Sequence, residues 1–239
     1  MKHVLVTGAS GGIGRACALA FAGKGYSVTV CYNTNKYAAE ELTGTILKKG
    51  VPAIAVKADV SSESDVAELF KYAESEIGPV DTLINNAGIS HFGLLTDMST
   101  SQWHDIINTN LTSVFLCCRQ ALPSMVKYKR GCIINMSSIW GESGASCESA
   151  YSASKAGMIG LSKALAKEYG PSGIRVNCIS PGFIATGMNS RLSQSEIDDF
   201  TSETPLCRTG TPDEVASAAL FLAENGFVTG QVIGVTGGL

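Results

Sequence analysis

The chain has 239 residues, a formal net charge of −3 and a pI near 5.6, with 45% hydrophobic and only 16% charged residues. Those totals suit a single packed α/β domain long enough to bury a substantial core. They exclude a bulk basic surface for nucleic acid, and no apolar run is long enough to span a bilayer. The start, Met1-Lys2-His3-Val4-Leu5-Val6, runs straight into a strand pattern and lacks the look of a cleavable signal, so the expected compartment is cytoplasmic. Eight cysteines form no C-x-x-C pair and read as small buried hydrophobes. The three histidines have no ligand-type spacing, and no metal site is expected.

In chain order, the first predicted strand is His3–Val6. Thr7 to Gly14 follows, with Gly8, Gly12 and Gly14 at G-x-x-x-G-x-G spacing, and opens a helix over Gly12–Lys24. Glycines at such a turn let the backbone approach a pyrophosphate, and the helix N-terminus supplies amide donors. A strand Ser27–Tyr32 ends in Asn33, Thr34, Asn35 and Lys36 before a helix Tyr37–Lys49. A carboxylate at that strand end would bind the ribose hydroxyls of NAD. None is present, so a 2′-phosphate would meet hydrogen-bonding groups and the charge of Lys36, and NADPH is expected over NADH. The strand Ala53–Lys57 leads to Asp59 and Val60, where an aspartate could meet an adenine amino group; the helix Glu63–Glu76 follows. The strand Thr82–Asn85 runs into Asn86, Ala87 and Gly88, which either satisfy turn backbone or shape a cofactor crevice.

A long helix is predicted over Ser101–Val126, with Asn110 inside it, then a strand Cys132–Ser137. The loop Ile139–Glu148, with Trp140 and Glu142, should line a substrate pocket. The helix Tyr151–Tyr169 and the strand Arg175–Ile179 precede Pro181-Gly182, and Thr186 follows, its hydroxyl placed to reach a phosphate or carboxamide. Residues 182–205, with a short polar helix around Gln194–Phe200, read as a substrate lid. The helix Pro212–Ala223 and the strand Gln231–Val235 close the pattern. Strands alternating with helices imply a Rossmann-type, doubly wound parallel sheet of about seven strands, order 3-2-1-4-5-6 plus an appended seventh, with helices on both faces. With no linker or repeat, residues 1–239 read as one domain.

Ser138, Tyr151 and Lys155 carry the most chemistry. A tyrosine and a lysine four residues apart share one helix face. The ammonium can lower a phenol pKa from about 10 toward the working range of an acid/base, and the Ser138 hydroxyl can polarise a carbonyl. Tyr32 and Lys36 repeat the spacing but close a strand, so spacing alone does not distinguish a catalytic pair from a packed tyrosine beside a solvated lysine.

Gly8…Gly12…Gly14, Asp59, Asn85-Asn86-Ala87-Gly88, Asn110, Ser138, Tyr151…Lys155 and Pro181-Gly182, in this order and at these intervals, resemble the short-chain dehydrogenase/reductase family over essentially the whole chain. Within it the chain is most similar to bacterial 3-oxoacyl-[acyl-carrier-protein] reductases, through Ser152 to Gly157, Arg175-Val176-Asn177, Ser180 to Ile184 and Val228 to Gln231. The resemblance implies NADPH-dependent reduction of a 3-oxoacyl thioester in fatty-acid biosynthesis. It leaves open a reductase or dehydrogenase of free alcohols, sugars or steroids, and an inactive dinucleotide sensor. Tyr151 would donate the proton, Lys155 lower its pKa and hold the nicotinamide ribose, Ser138 bond the substrate oxygen, and Asn110 hold a relay water. The implied cofactor set is Gly8, Ser10, Gly11, Gly12, Ile13 and Gly14; Asn33, Thr34, Asn35 and Lys36; Asp59 and Val60; Asn86, Ala87 and Gly88; Tyr151 and Lys155; and Pro181, Gly182, Ile184 and Thr186. Three positions depart from the relatives: Gly11 where NADP-preferring members often carry a cation, Thr236 for aspartate, and Ser172 for a basic docking residue, leaving Lys127, Lys129 and Arg130 as the candidate carrier-protein contact. Relatives built on the two long helices and the C-terminal segment are commonly homotetramers, and the same assembly is expected here.

Overall fold

Seven parallel strands form one sheet in the computed structural model, in the order 3-2-1-4-5-6-7. The structure describes residues 1–187 and 193–239. The strands are β1 (His3–Val6), β2 (Ser27–Tyr32), β3 (Ala53–Lys57), β4 (Thr82–Asn85), β5 (Gly131–Met136), β6 (Ile174–Pro181) and β7 (Val232–Val235). The helices are α1 (Gly12–Gly23), α2 (Lys36–Leu47), α3 (Glu63–Glu76), α4 (Thr100–Ile107), α5 (Ser113–Tyr128), α6 (Trp140–Ser143), α7 (Ser149–Tyr169), α8 (Gln194–Glu203) and α9 (Pro212–Glu224). Both β1 and β2 are buried along their whole length, as central strands of a parallel sheet covered on two faces must be.

Two hydrophobic layers cover the sheet. Phe21 of α1, Leu42 and Ile46 of α2 and Leu222 of α9 pack on one face; Leu69 of α3, Leu116 of α5 and Met158 of α7 pack on the other. The in-register ladders β4–β5 (Asn85 beside Asn135) and β5–β6 (Met136 beside Ile179) bring the loops after β1, β4, β5 and β6 to one edge. That carboxyl edge, where the strand order reverses between β1 and β4, is where doubly wound sheets bind ligands.

Two expectations need correction. The helix predicted over Ser101–Val126 is two helices, α4 and α5, joined by a π-helical turn over Asn108–Thr112. The short α6 was not expected. Ser138 and Ile139 turn the chain into it, and Gly141 lets it lie against α7, because a Cβ there would meet Lys155 at 2.8 Å. The expected polar helix extends to Glu203, and residues 188–192 of the expected lid lie outside the described residues. No helix among the described residues is long and apolar enough to cross a membrane.

Candidate active site

Ser138, Tyr151 and Lys155 meet at the wall of one cavity of about 980 Å³ at the carboxyl edge. Ser138 lies two residues past the end of β5 and is buried. Its Oγ accepts the Trp140 amide at 3.2 Å, which leaves its own proton to donate. Tyr151 and Lys155 lie one turn apart at the start of α7, with the Lys155 ammonium 5.5 Å from the tyrosine ring centroid. Lys155 Nζ donates to the Met136 carbonyl at 2.7 Å, and Ser137 Oγ donates to the Lys155 carbonyl at 3.1 Å. Together these bonds fix α7 against the end of β5.

The electrostatics correct the simple lysine-lowers-tyrosine expectation. Burial pushes the Tyr151 hydroxyl up to about 12, the hydrogen bond with Ser138 opposes the rise, and the Glu148 carboxylate adds to it. Burial pushes Lys155 down to about 8. In this geometry Tyr151 is a proton donor by default, and it is Lys155 whose charge is poised near neutrality.

Asn110 sits at the centre of the π turn and is fully buried. Its Oδ1 accepts from Ile89 N at 2.8 Å, and its Nδ2 donates to Ile89 O at 2.9 Å and to Ser154 Oγ at 3.1 Å. Its carboxamide therefore ties the loop after β4 to α7 and is engaged at both ends.

The cavity continues over Gly8, Ser10, Gly11, Gly12 and Ile13 to Asn86, Ala87, Gly88, Pro181, Gly182, Ile184 and Thr186. Gly8 has φ +61°, and a Cβ on it would meet the Ala87 backbone at 2.9 Å. Asn86 Nδ2 donates to the Thr7 and Gly8 carbonyls at 3.0 and 3.1 Å, stapling this turn to the end of β4. Gly11 caps α1 without a side-chain bond, so the first amides of α1 have no partner within the helix and face the cavity. A glycine-lined cleft at a helix N-terminus fits a dinucleotide pyrophosphate.

Several expected cofactor contacts lie away from the cavity wall. Gly14 is a packing residue: a Cβ there would meet Asn86 Nδ2 and Gly8 O at 2.5 Å. Val60 is buried in the core beside α3, and Asp59 Oδ1 is engaged by the amide and hydroxyl of Ser61 at 2.9 and 2.7 Å. Asn33, Thr34, Asn35 and Lys36 are exposed beyond β2; Asn35 caps α2 and Lys36 pairs with Glu40 at 3.5 Å. The basic trio is also displaced from the site. Lys127, Lys129 and Arg130 immediately precede β5, so they lie at the opposite edge of the sheet, about 20 Å away along a six-residue strand. There Arg130 Nε pairs with Asp81 at 2.8 Å.

Sequence reasoning missed Ser90, Phe92, Glu196 and Phe200 on the cavity wall. Ser90 and Phe92 follow β4 as Ser138 follows β5, which was the available signal. Phe200 reaches the cavity by stacking on Phe183, ring centroids 4.8 Å apart, a contact no local pattern encodes.

A family model described as enoyl-(acyl carrier protein) reductase matches residues 8–239. A 3-oxoacyl-[acyl-carrier-protein] reductase of Staphylococcus epidermidis is 42% identical, over 100% of this chain and 98% of its own length. YmfI, an oxidoreductase of Bacillus subtilis, is 39% identical over 99% and 98%. The crystal structure of a 3-oxoacyl-[acyl-carrier protein] reductase from Brucella melitensis superposes with a TM-score of 0.94 at 36% identity, covering 100% of this chain and 91% of that one.

Proposed function

The chain belongs to the short-chain dehydrogenase/reductase family, an NAD(P)-dependent oxidoreductase acting on CH–OH groups, and we propose that it reduces a 3-oxoacyl thioester, carried on acyl carrier protein, to the 3-hydroxyacyl form with NADPH. The observation that carries this reading is the placement of Ser138, Tyr151 and Lys155 on the wall of a cavity continuous with the glycine cleft. The cofactor's nicotinamide supplies the hydride when bound. Ser138 donates to the substrate oxygen, held as a donor by the Trp140 amide. Tyr151 gives its proton to the same oxygen. Lys155 provides positive charge beside the forming phenolate and would hold the nicotinamide ribose. The amides at the start of α1, with Gly88, Gly182 and Thr186, would hold the rest of the dinucleotide.

NADPH is favoured because no carboxylate stands at the end of β2, where Asn33 and Thr34 are exposed. A higher kcat/KM with NADH than with NADPH would overturn that choice. Tyr151→Phe should lower turnover of an acetoacetyl thioester by roughly a hundredfold or more while cofactor binding persists. Retained turnover would remove Tyr151 from the chemistry. Residues 182–205 would act as the lid of this one domain, with α8 carrying Glu196 and Phe200 onto the cavity.

A second reading, reduction of a free carbonyl compound, is favoured by the position of Lys127, Lys129 and Arg130 on the far edge of the sheet. Comparing turnover of the same acetoacetyl group free and on the carrier protein separates the two. The assembly would be a homotetramer.

A further inference from the structure

The sheet face that carries α7 has a polar row inside its apolar core. Asn85 of β4, Asn135 of β5 and Cys178 of β6 stand beside one another in register, and all are buried. Two residues earlier on the same strands the row is Leu83, Ile133 and Val176, apolar members of the core on this face. Asn85 Nδ2 donates to Asn135 Oδ1 at 2.8 Å, and Asn135 Nδ2 donates to Ser162 Oγ of α7 at 2.7 Å. Ser162 Oγ also accepts from Cys178 Sγ at 3.0 Å and donates to the Met158 carbonyl at 2.7 Å. The hydroxyl is thereby saturated, with one proton given and two bonds accepted.

Burying amides costs free energy, and apolar side chains of similar volume would fill this row without that cost. Directional bonds add what such packing lacks, a fixed register. The composition of α7 makes register an issue. Of the side chains it buries, only Met158 and Ile159 are large and apolar, and the others apart from Lys155 are small. So smooth a face offers few ridges to lock the helix along its axis. Lys155 and Ser162 are seven residues apart, two turns or about 10.5 Å, and share one face. The end of β5 grips α7 at both heights: Asn135 holds Ser162, while Met136 and Ser137 hold Lys155. Asn135 and Ser162 lie outside the cavity lining, so any effect they have on the chemistry passes through α7. Resting on the reductase reading, we infer that Asn135 and Ser162 are positioning residues for the reaction: their bond, backed by Asn85 and Cys178, sets the axial position of α7 and so places Tyr151 and Lys155 against the substrate carbonyl.

Kinetics of an acetoacetyl thioester, measured where every variant is folded by circular dichroism, test this. Ser162→Ala breaks the bond, and Asn135→Ala breaks it from the other side. Each should lower kcat by about tenfold or more, because small misplacements of reacting groups are costly. The double variant should lose no more than the worse single, since both changes remove one bond. Ser162→Thr, which keeps a hydroxyl able to bond the carbonyl four residues back, should recover most of the rate. Leu69→Ala is the control: it hollows the same apolar layer from α3, leaves the polar row intact, and should keep the unaltered kcat despite lower stability. Unaltered kcat in Ser162→Ala, losses that simply multiply in the double variant, or an equal loss in Leu69→Ala would each overturn the proposal and leave the reductase reading standing. No turnover by the unaltered protein overturns the reductase reading instead. Acetylation of Lys155 by acetic anhydride, followed by mass spectrometry, then still tests the positioning. This buried lysine should label faster in Ser162→Ala than in Leu69→Ala, and equal rates would sink the inference.

Discussion

Tyr151 and Lys155 are moved in opposite directions by the same burial, because desolvation disfavours the charged form of each. The tyrosine rises to about 12 and the lysine falls to about 8. The sign for catalysis follows. Reduction needs a protonated Tyr151, which persists throughout the working range, and a protonated Lys155, which is lost as pH rises through about 8. We therefore expect kcat for reduction to be level below about pH 8 and to fall above it. The residual activity of Lys155→Arg should lack that alkaline limb, since a guanidinium stays protonated. A pH–rate profile of both proteins checks this, and a rate that climbs through pH 8 would contradict it. That the two side chains stand together was legible in the sequence, because four-residue spacing at the head of a helix places both on one face. The direction of the tyrosine shift was not. It depends on how deeply the folded chain buries the hydroxyl, which is a tertiary fact. Nor does the sequence show that Asp59 Oδ1 is engaged by Ser61, two residues away, in the turn after β3.

Elements bounded by glycine or asparagine were the readable ones. β1 to β4 fall on the predicted residues because each is a β-branched run ended by a turn former. The α4–α5 break escaped notice because a π turn adds one residue without interrupting the apolar character on either side. The only local sign was Asn110, a polar residue that inside a regular helix would have been unremarkable. In the structure that side chain does the joining: it spans from Ile89 to Ser154, and Ser154 Oγ in turn donates to the Tyr151 carbonyl at 2.7 Å. Asn110→Ala should leave the Ile89 backbone and Ser154 without these partners and cost about 1–3 kcal/mol of stability. It should also lower kcat by about tenfold or more, since the first turn of α7 would lose its tie to the loop after β4. Urea unfolding and steady-state kinetics measure the two effects. A variant of unchanged stability and kcat would show that the π turn holds its shape without the carboxamide.

At the scale of the molecule, exposed apolar side chains stand on both covering layers of the sheet, that of α5 and α7 and that of α9. On one, Ala153, Ala156 and Gly160 of α7 are exposed, and Phe115 of α5 is 46% exposed with the Arg119 guanidinium 5.0 Å from its ring centroid. Gly157, which shares the composition of that stripe, serves a different purpose: a Cβ there would meet Leu111 at 2.8 Å within the same chain. On the other, Phe221 of α9 and Phe227, just before the edge strand β7, are exposed. Phe227 is 100% exposed, which is costly for a phenylalanine that stays in water. One self-complementary face makes a two-fold dimer, and two independent faces make a tetramer of dihedral symmetry. The proposed homotetramer should therefore come apart in halves. Phe221→Asp combined with Phe227→Asp should leave dimers held through α5 and α7, with the cavity of each chain intact. Sedimentation velocity at micromolar concentration should show species of full and half mass for the two proteins, and a monomer for the unaltered chain would refute the assembly. Phe221 lies near the end of α9 and Phe227 just before β7, so both substitutions fall at the amino edge of the sheet, away from the cavity, and cofactor binding by the half-sized species should survive. If it were lost, the active site would have to be completed across an interface that the single chain does not reveal.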